Sequence, residues 1–145
     1  TRLSRGLGDV YKRQALAKAF KDDLNEAASL VTLSYIGSNK VVQNYNVMGV
    51  AKASLESSVL YLADSLGDKR IRVNAVSAGP IKTLAAAGIS GFNKILDVYQ
   101  QKSAIKDNIT TDDVAKVVYF LLSDYSSAST GQTIHVDNGF NIIGY

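Results

Sequence analysis

Two short runs rich in apolar and β-branched residues, Leu30–Ser34 (LVTLS) and Ile71–Val76 (IRVNAV), flank one long amphipathic segment, and this alternation most constrains the fold. Between Tyr45 and Leu66 the positions Met48, Ala51, Leu55, Val59, Leu62 and Leu66 keep steps of three and four, the period of one helix face, and Gly67 supplies a stop. Strands joined through a helix of that length run parallel, because only a crossover returns the chain to the same end of the sheet. Helices then cover both faces, which is why the two runs are almost continuously apolar instead of alternating. A third strand is expected at Thr133–Val136, entered through Gly131 and left through Asn138-Gly139, with further helices at Ala15–Leu24, Asn93–Gln101 and Asp113–Ser123. Thr110, ahead of Asp113, has the spacing of a capping box. The fold class is α/β, a doubly wound parallel sheet. Two or three strands are few for such a sheet. Its first strands are expected to lie upstream, one of them pairing with Leu30–Ser34, so the isolated chain is expected to expose an apolar edge and to be poorly soluble.

Composition narrows the function classes. With 46% hydrophobic and 20% charged residues, the 145-residue chain has the material for one globular core and none of the bias of a disordered segment. It has no cysteine and a single histidine, His135, so neither disulfides nor the common metal sites are expected. No apolar run approaches the roughly 18 residues of a membrane span, and no signal-peptide pattern opens the chain, which gives a cytoplasmic reading without a membrane partner. The net charge of +3 lies in residues 1–14, where Arg2, Arg5, Lys12 and Arg13 face Asp9, and it cancels thereafter. No nucleic-acid partner is therefore expected. Residues 1–14 show no helical or strand period, and Asp9–Gln14 (DVYKRQ) resembles the translation of a transposon end used in sequencing libraries. They are set aside as a foreign leader, leaving 15–145 as the domain.

In open parallel sheets, ligands bind beyond the carboxyl ends of the strands. Ser34 and Tyr35 follow the first run, and Gly79-Pro80-Ile81-Lys82-Thr83 follows the second. On the intervening helix Tyr45 and Lys52 are seven residues apart, about 700° of rotation or two turns less about 20°, so both side chains leave one face. A phenol and an ammonium are thereby set side by side, with Met48 on the same stripe and Gly49 small enough to admit a flat ligand. That spacing alone fits a half-buried tyrosine and a solvated lysine equally well. Leu84–Phe92 (LAAAGISGF) is small and apolar with two glycines, which suits a mobile lid or a loop packed on the core. His135 is read as a strand residue, and Tyr61, Tyr99, Tyr119 and Tyr125 as packing or surface aromatics.

The stretches YIGSNKVVQNYNVMGVAKASLE and RIRVNAVSAGPIKTLAAAGI, with the ending TGQTIHVDNGF, resemble the bacterial NADH- or NADPH-dependent enoyl-acyl carrier protein reductases, a branch of the short-chain dehydrogenase/reductase superfamily. Most of that superfamily spaces its tyrosine and lysine by four. The wider Tyr45-x6-Lys52 and the upstream Tyr35 are what resemble the enoyl reductases. The likeness runs from about Ala15 to Phe140; Asn25–Ala28 (NEAA) and Asn138 depart from it, standing where the family has a glycine-containing turn and a glycine or serine.

The resemblance implies the C-terminal half of a Rossmann-like domain, with the glycine-rich cofactor turn upstream. It further implies reduction of a trans-2-enoyl thioester on acyl carrier protein, with NADH or NADPH as cofactor, by a homotetramer whose Tyr45 helix packs on its copy. Tyr45 is expected to donate to the enolate oxygen, and Lys52 to hold the ribose hydroxyls and favour phenolate character in Tyr45. Ser34 is expected near the nicotinamide, Gly79 and Pro80 to shape the turn, the main chain of Ile81 to meet the carboxamide, and Thr83 to reach the pyrophosphate. Tyr35, Met48, Ala85, Ala86, Ile89 and Phe92 are expected around the acyl chain, Tyr35 with a share in the chemistry. Another carbonyl substrate within the superfamily, or a non-catalytic subunit, are the alternatives. A half without the phosphate-binding turn is expected to be inactive alone.

Overall fold

The computed structural model describes residues 12, 14–83 and 91–144. Helix α1 covers residues 14–20. Strand β1 (Ser29–Ser34), helix α2 (Asn46–Leu66), strand β2 (Arg72–Ala78), helices α3 (Phe92–Lys102) and α4 (Thr111–Leu122), and strand β3 (Thr133–Val136) follow. The strands form a parallel sheet in the order β1-β2-β3, with Ser34 opposite Ser77 and Ala78 opposite Val136 at its carboxyl edge. That edge carries the segments expected to hold the site.

The alternation of side chains along β2 divides the core in two. Val73 and Ala75 pack with Val59, Ala63 and Leu66 of α2 on one face, while Val76 packs with Val114 and Leu121 of α4 on the other. A parallel sheet covered on both faces is the doubly wound arrangement. The expected helix stripe holds, since Ala51, Leu55, Val59 and Leu66 are buried. β1 is an outer strand, and Leu33 on it is 54% exposed. The capping box forms as expected: the Thr110 hydroxyl accepts from the Asp113 amide, and the Asp113 carboxylate accepts from the Thr110 amide. The Thr110 hydroxyl also donates to the Asp113 carboxylate at 2.6 Å, and this bond, followed by the one from the Thr110 amide, holds the Asp113 carboxyl below the usual carboxylate range.

Two details differ from expectation. Tyr45 is the residue before α2 and not its first turn, because it lies between Asn44 and Asn46, which both take positive φ. Gly67 keeps a right-handed φ of −60° and continues into a short 3₁₀ turn, so the left-handed reversal falls on Arg70, at φ 57°.

Each departure from the enoyl-reductase pattern contains a left-handed residue. Ala27 has φ 60° and Asn138 φ 53°. Asparagine tolerates this region, whereas alanine pays for its Cβ about 1 kcal/mol or more. Ala27→Gly is accordingly expected to raise stability by ~0.5–1 kcal/mol, less than the strain relieved because glycine gains freedom in the unfolded chain. Chemical denaturation checks this, and a lower midpoint would contradict it.

At the amino end of β2 lies a lock that the sequence did not announce. Arg72, only 7% exposed, donates through Nη1 to the Leu121 carbonyl (2.8 Å) and to Ser126 Oγ (2.5 Å), and through Nη2 to the Ser123 carbonyl (3.1 Å). The guanidinium thereby satisfies carbonyls at the C-terminal end of α4, where a cation is favoured. Asn74, fully buried, bonds the Ser129 carbonyl and the Gln132 amide and so fixes the entry to β3.

Candidate active site

The chain leaves β1 in extended form at Tyr35 and makes a 3₁₀ turn at Ile36–Ser38. This turn lies against the start of α2. A Cβ on Gly49 would stand 2.6 Å from the Gly37 carbonyl oxygen, and one on Gly37 would stand 2.3 Å from the Tyr45 ring. Gly49 is therefore small enough to admit the Gly37 backbone, a packing reason that the sequence reading did not include. Gly37, unmarked in the sequence reading, makes the slot that seats Tyr45. The Tyr45 ring meets Tyr35 edge-on, with centroids 5.0 Å apart and planes at 63°.

Lys52 lies along α2 from Tyr45, and its Nζ donates to the Leu33 carbonyl at 3.0 Å. Tyr45 and Lys52 thus both reach residues 33–37, at the carboxyl end of β1. Burial, followed by the neighbouring Tyr35, pushes the Tyr45 phenol up to about 12. Burial also raises Tyr35, in spite of an opposing hydrogen bond from Tyr99. Burial thus favours the neutral, protonated phenol at both Tyr45 and Tyr35.

Ser34 is buried, and its hydroxyl donates to Glu56 Oε1 of α2, so it is turned into the helix–sheet interface. Its register partner Ser77 is also buried, and its hydroxyl has no hydrogen-bond partner among the described residues. Gly79 donates its amide to the Val136 carbonyl, and the side where a Cβ would stand faces Asp137 and Ile109 at 3.4 Å. The close approach at Gly79 is thus to the segment after β3. Pro80 is buried, the Ile81 side chain packs on the α4-side core, and Thr83 is exposed. Ala85, Ala86 and Ile89, and with them most of the expected lid, lie outside the described residues.

A cleft of about 580 Å³ opens between residues 35–44, α3 and residues 140–143, lined by Tyr35, Val41, Ile95, Val98, Tyr99 and Phe140 among others. Tyr45 lines a separate hollow of about 390 Å³ with Gly37, Gly49 and Val50. Met48 lines neither; Phe92 follows Gly91, which lines the larger cleft. Tyr99 packs as expected and also carries a hydrogen bond that the sequence reading did not include. It is buried, stacks on Phe140 at 3.8 Å, and donates its hydroxyl to that of Tyr35 at 3.0 Å. Nothing in the local sequence marks it, since its partner lies 64 residues away. Tyr61, Tyr119 and Tyr125 are exposed, and His135 stands in β3. Among the described residues no group of three or more His, Cys, Asp or Glu could hold a metal ion, and no helix is long and apolar enough to cross a membrane.

The sequence profile of a family described as "Enoyl-(Acyl carrier protein) reductase" matches residues 9–141. The chain belongs to that family. An enoyl-[acyl-carrier-protein] reductase [NADH] of Buchnera aphidicola is 52% identical over 132 residues, which are 91% of this chain and 51% of the relative. The enoyl-[acyl-carrier-protein] reductase [NADPH] of Staphylococcus aureus is 50% identical, over 92% of this chain and 52% of its own length. Among solved structures, the Bacillus cereus enoyl-acyl carrier protein reductase with NADP+ and indole naphthyridinone is similar at a TM-score of 0.87 and 48% identity, over 91% of this chain and 51% of that one. The Aquifex aeolicus enoyl-[acyl-carrier-protein] reductase (NADH) reaches a TM-score of 0.88 at 44% identity, over 93% and 53%. The chain spans about half the length of the enoyl reductases it matches.

Proposed function

We propose that the protein carrying this segment reduces trans-2-enoyl thioesters of acyl carrier protein, with NADH or NADPH, in the cytoplasm. One observation carries the reading: Tyr35, Tyr45 and Lys52 are gathered at residues 33–37, on the sheet edge shared with Gly79. The dinucleotide's fit rests on Lys52, whose ammonium already reaches a backbone carbonyl at that edge and can serve ribose hydroxyls in the same way. The main chain of Ile81 and the hydroxyl of Thr83 follow Gly79-Pro80 and are assigned to carboxamide and pyrophosphate. The bound nicotinamide supplies a hydride to the β-carbon of the enoyl group.

What the chain itself contributes is charge stabilisation. As the β-carbon is reduced, negative charge builds on the thioester oxygen, and a preset donor there is commonly worth about 3 kcal/mol. Tyr45, kept protonated by burial, is that donor, and Tyr35 closes the acyl end of the site. The outer face of α2 carries the exposed apolar residues Val47, Val50, Leu60 and Tyr61, which suits packing against a second copy in a homotetramer.

In the protein translated from the complete coding sequence, Tyr45→Phe is expected to lower kcat for crotonyl-thioester reduction about 100-fold. Lys52→Ala is expected to raise KM for the nicotinamide nucleotide about tenfold or more. Unchanged constants in both variants would remove the assignments.

A further inference from the structure

We propose that Tyr99 is a positioning residue, whose hydroxyl donates to Tyr35 and thereby commits Tyr35's own proton to an oxygen atom of the acyl thioester in the cleft. The inference rests on the reductase reading above and adds to it a residue that does not touch the reacting atoms.

A phenol has one proton to give and an oxygen that accepts. In the pair 3.0 Å apart, Tyr99 is the donor and Tyr35 the acceptor, so Tyr35's single proton stays available for a third group. Tyr99 is held from three directions. Its ring stacks on Phe140 with planes at 15°, its backbone carbonyl accepts from the Ser103 amide (2.8 Å) and hydroxyl (2.6 Å), and the residue as a whole is only 7% exposed. Tyr35 is held on its other side by the edge of Tyr45. Both phenols line the same cleft, where aliphatic residues such as Ile95 and Val98 stand beside the polar Gln43, Asn44, Lys94 and Asn141, and Tyr99 is itself buried. In such surroundings a hydroxyl that accepts one bond becomes a better donor of the next, and one left without an acceptor pays for it. A thioester oxygen entering the cleft meets a donor whose direction is already fixed. Tyr45 and Tyr35 then approach the substrate from adjacent hollows, and Tyr99 stands behind the second of them.

Tyr99→Phe keeps the stack on Phe140 and deletes one oxygen. In the full-length enzyme it is expected to lower kcat for crotonyl-thioester reduction about fivefold, the worth of one neutral hydrogen bond, with KM for the nucleotide unchanged. The decisive arm is the pair. In a Tyr35→Phe background, itself slower than the parent, Tyr99→Phe is expected to add no further loss, because the hydroxyl it serves is gone. A full fivefold loss in that background, or a Tyr35→Phe enzyme of parental rate, overturns the proposal. If the unsubstituted enzyme fails to reduce the thioester, it is the reductase reading that falls. The tyrosine pair is then judged by carbon-13 NMR of ring-labelled tyrosine, where Tyr99→Phe should shift the Tyr35 Cζ resonance, and an unmoved resonance overturns the contact.

Discussion

Gly49→Ala is expected to cut enoyl-thioester turnover by about 100-fold while leaving a folded protein. The new Cβ would stand 2.6 Å from the Gly37 carbonyl oxygen. Both partners are backbone, so neither can turn aside as a side chain would, and the 36–38 turn must move away from α2. Overpacking of that kind costs about 1–3 kcal/mol, within what a domain of this size tolerates. The catalytic cost is larger because Gly37 in turn seats the Tyr45 ring and the same turn begins at Tyr35. A shift near 1 Å at a reacting group can cost about 100-fold. Turnover and a melting curve measured on the same preparation check this, and parental kcat in the alanine variant would show that the slot does not control Tyr45.

The second large effect concerns stability. Arg72→Ala is expected to lower unfolding free energy by about 3 kcal/mol or more. The substitution removes three hydrogen bonds, to the Leu121 and Ser123 carbonyls and the Ser126 hydroxyl, leaving the carbonyls only the weaker neutral bonds they take from Ser29 and Ser126, and hydrogen bonds to a charged donor are worth about 1.5–3 kcal/mol each, though not additively. Arg72→Lys keeps the charge without the planar fork and is expected to recover only part of the loss. Denaturant titration of the three proteins checks the order. An alanine variant within 1 kcal/mol of the parent would show that water replaces the guanidinium at no cost.

The sheet and its helices were legible because their apolar positions repeat with the periods of the elements that bury them. LVTLS and IRVNAV matched β1 and β2 within two residues, and TIHV matched β3. Helix ends were less legible where backbone geometry and side-chain pattern part company, as at Tyr45 and Gly67. Of the site, local spacing marked Tyr45, just before α2, and Lys52 on it, and both reach residues 33–37. The Tyr99 hydroxyl and the Gly37 slot could not, since each depends on a partner brought in from a distant segment. Arg72 was hidden for another reason. An arginine at the start of a strand reads as a solvated charge, and only the packing of α4 reveals three acceptors waiting for it.

Strand β2 runs seven residues from Arg72 to Ala78, roughly 20 Å, with anchorage at one end and ligand-facing turns at the other. Damage at the anchored end therefore removes whole molecules from the working population without retuning those that survive. A weakened variant should show fewer active sites of unaltered affinity, so that heat sensitivity and substrate preference can be inherited, and engineered, separately.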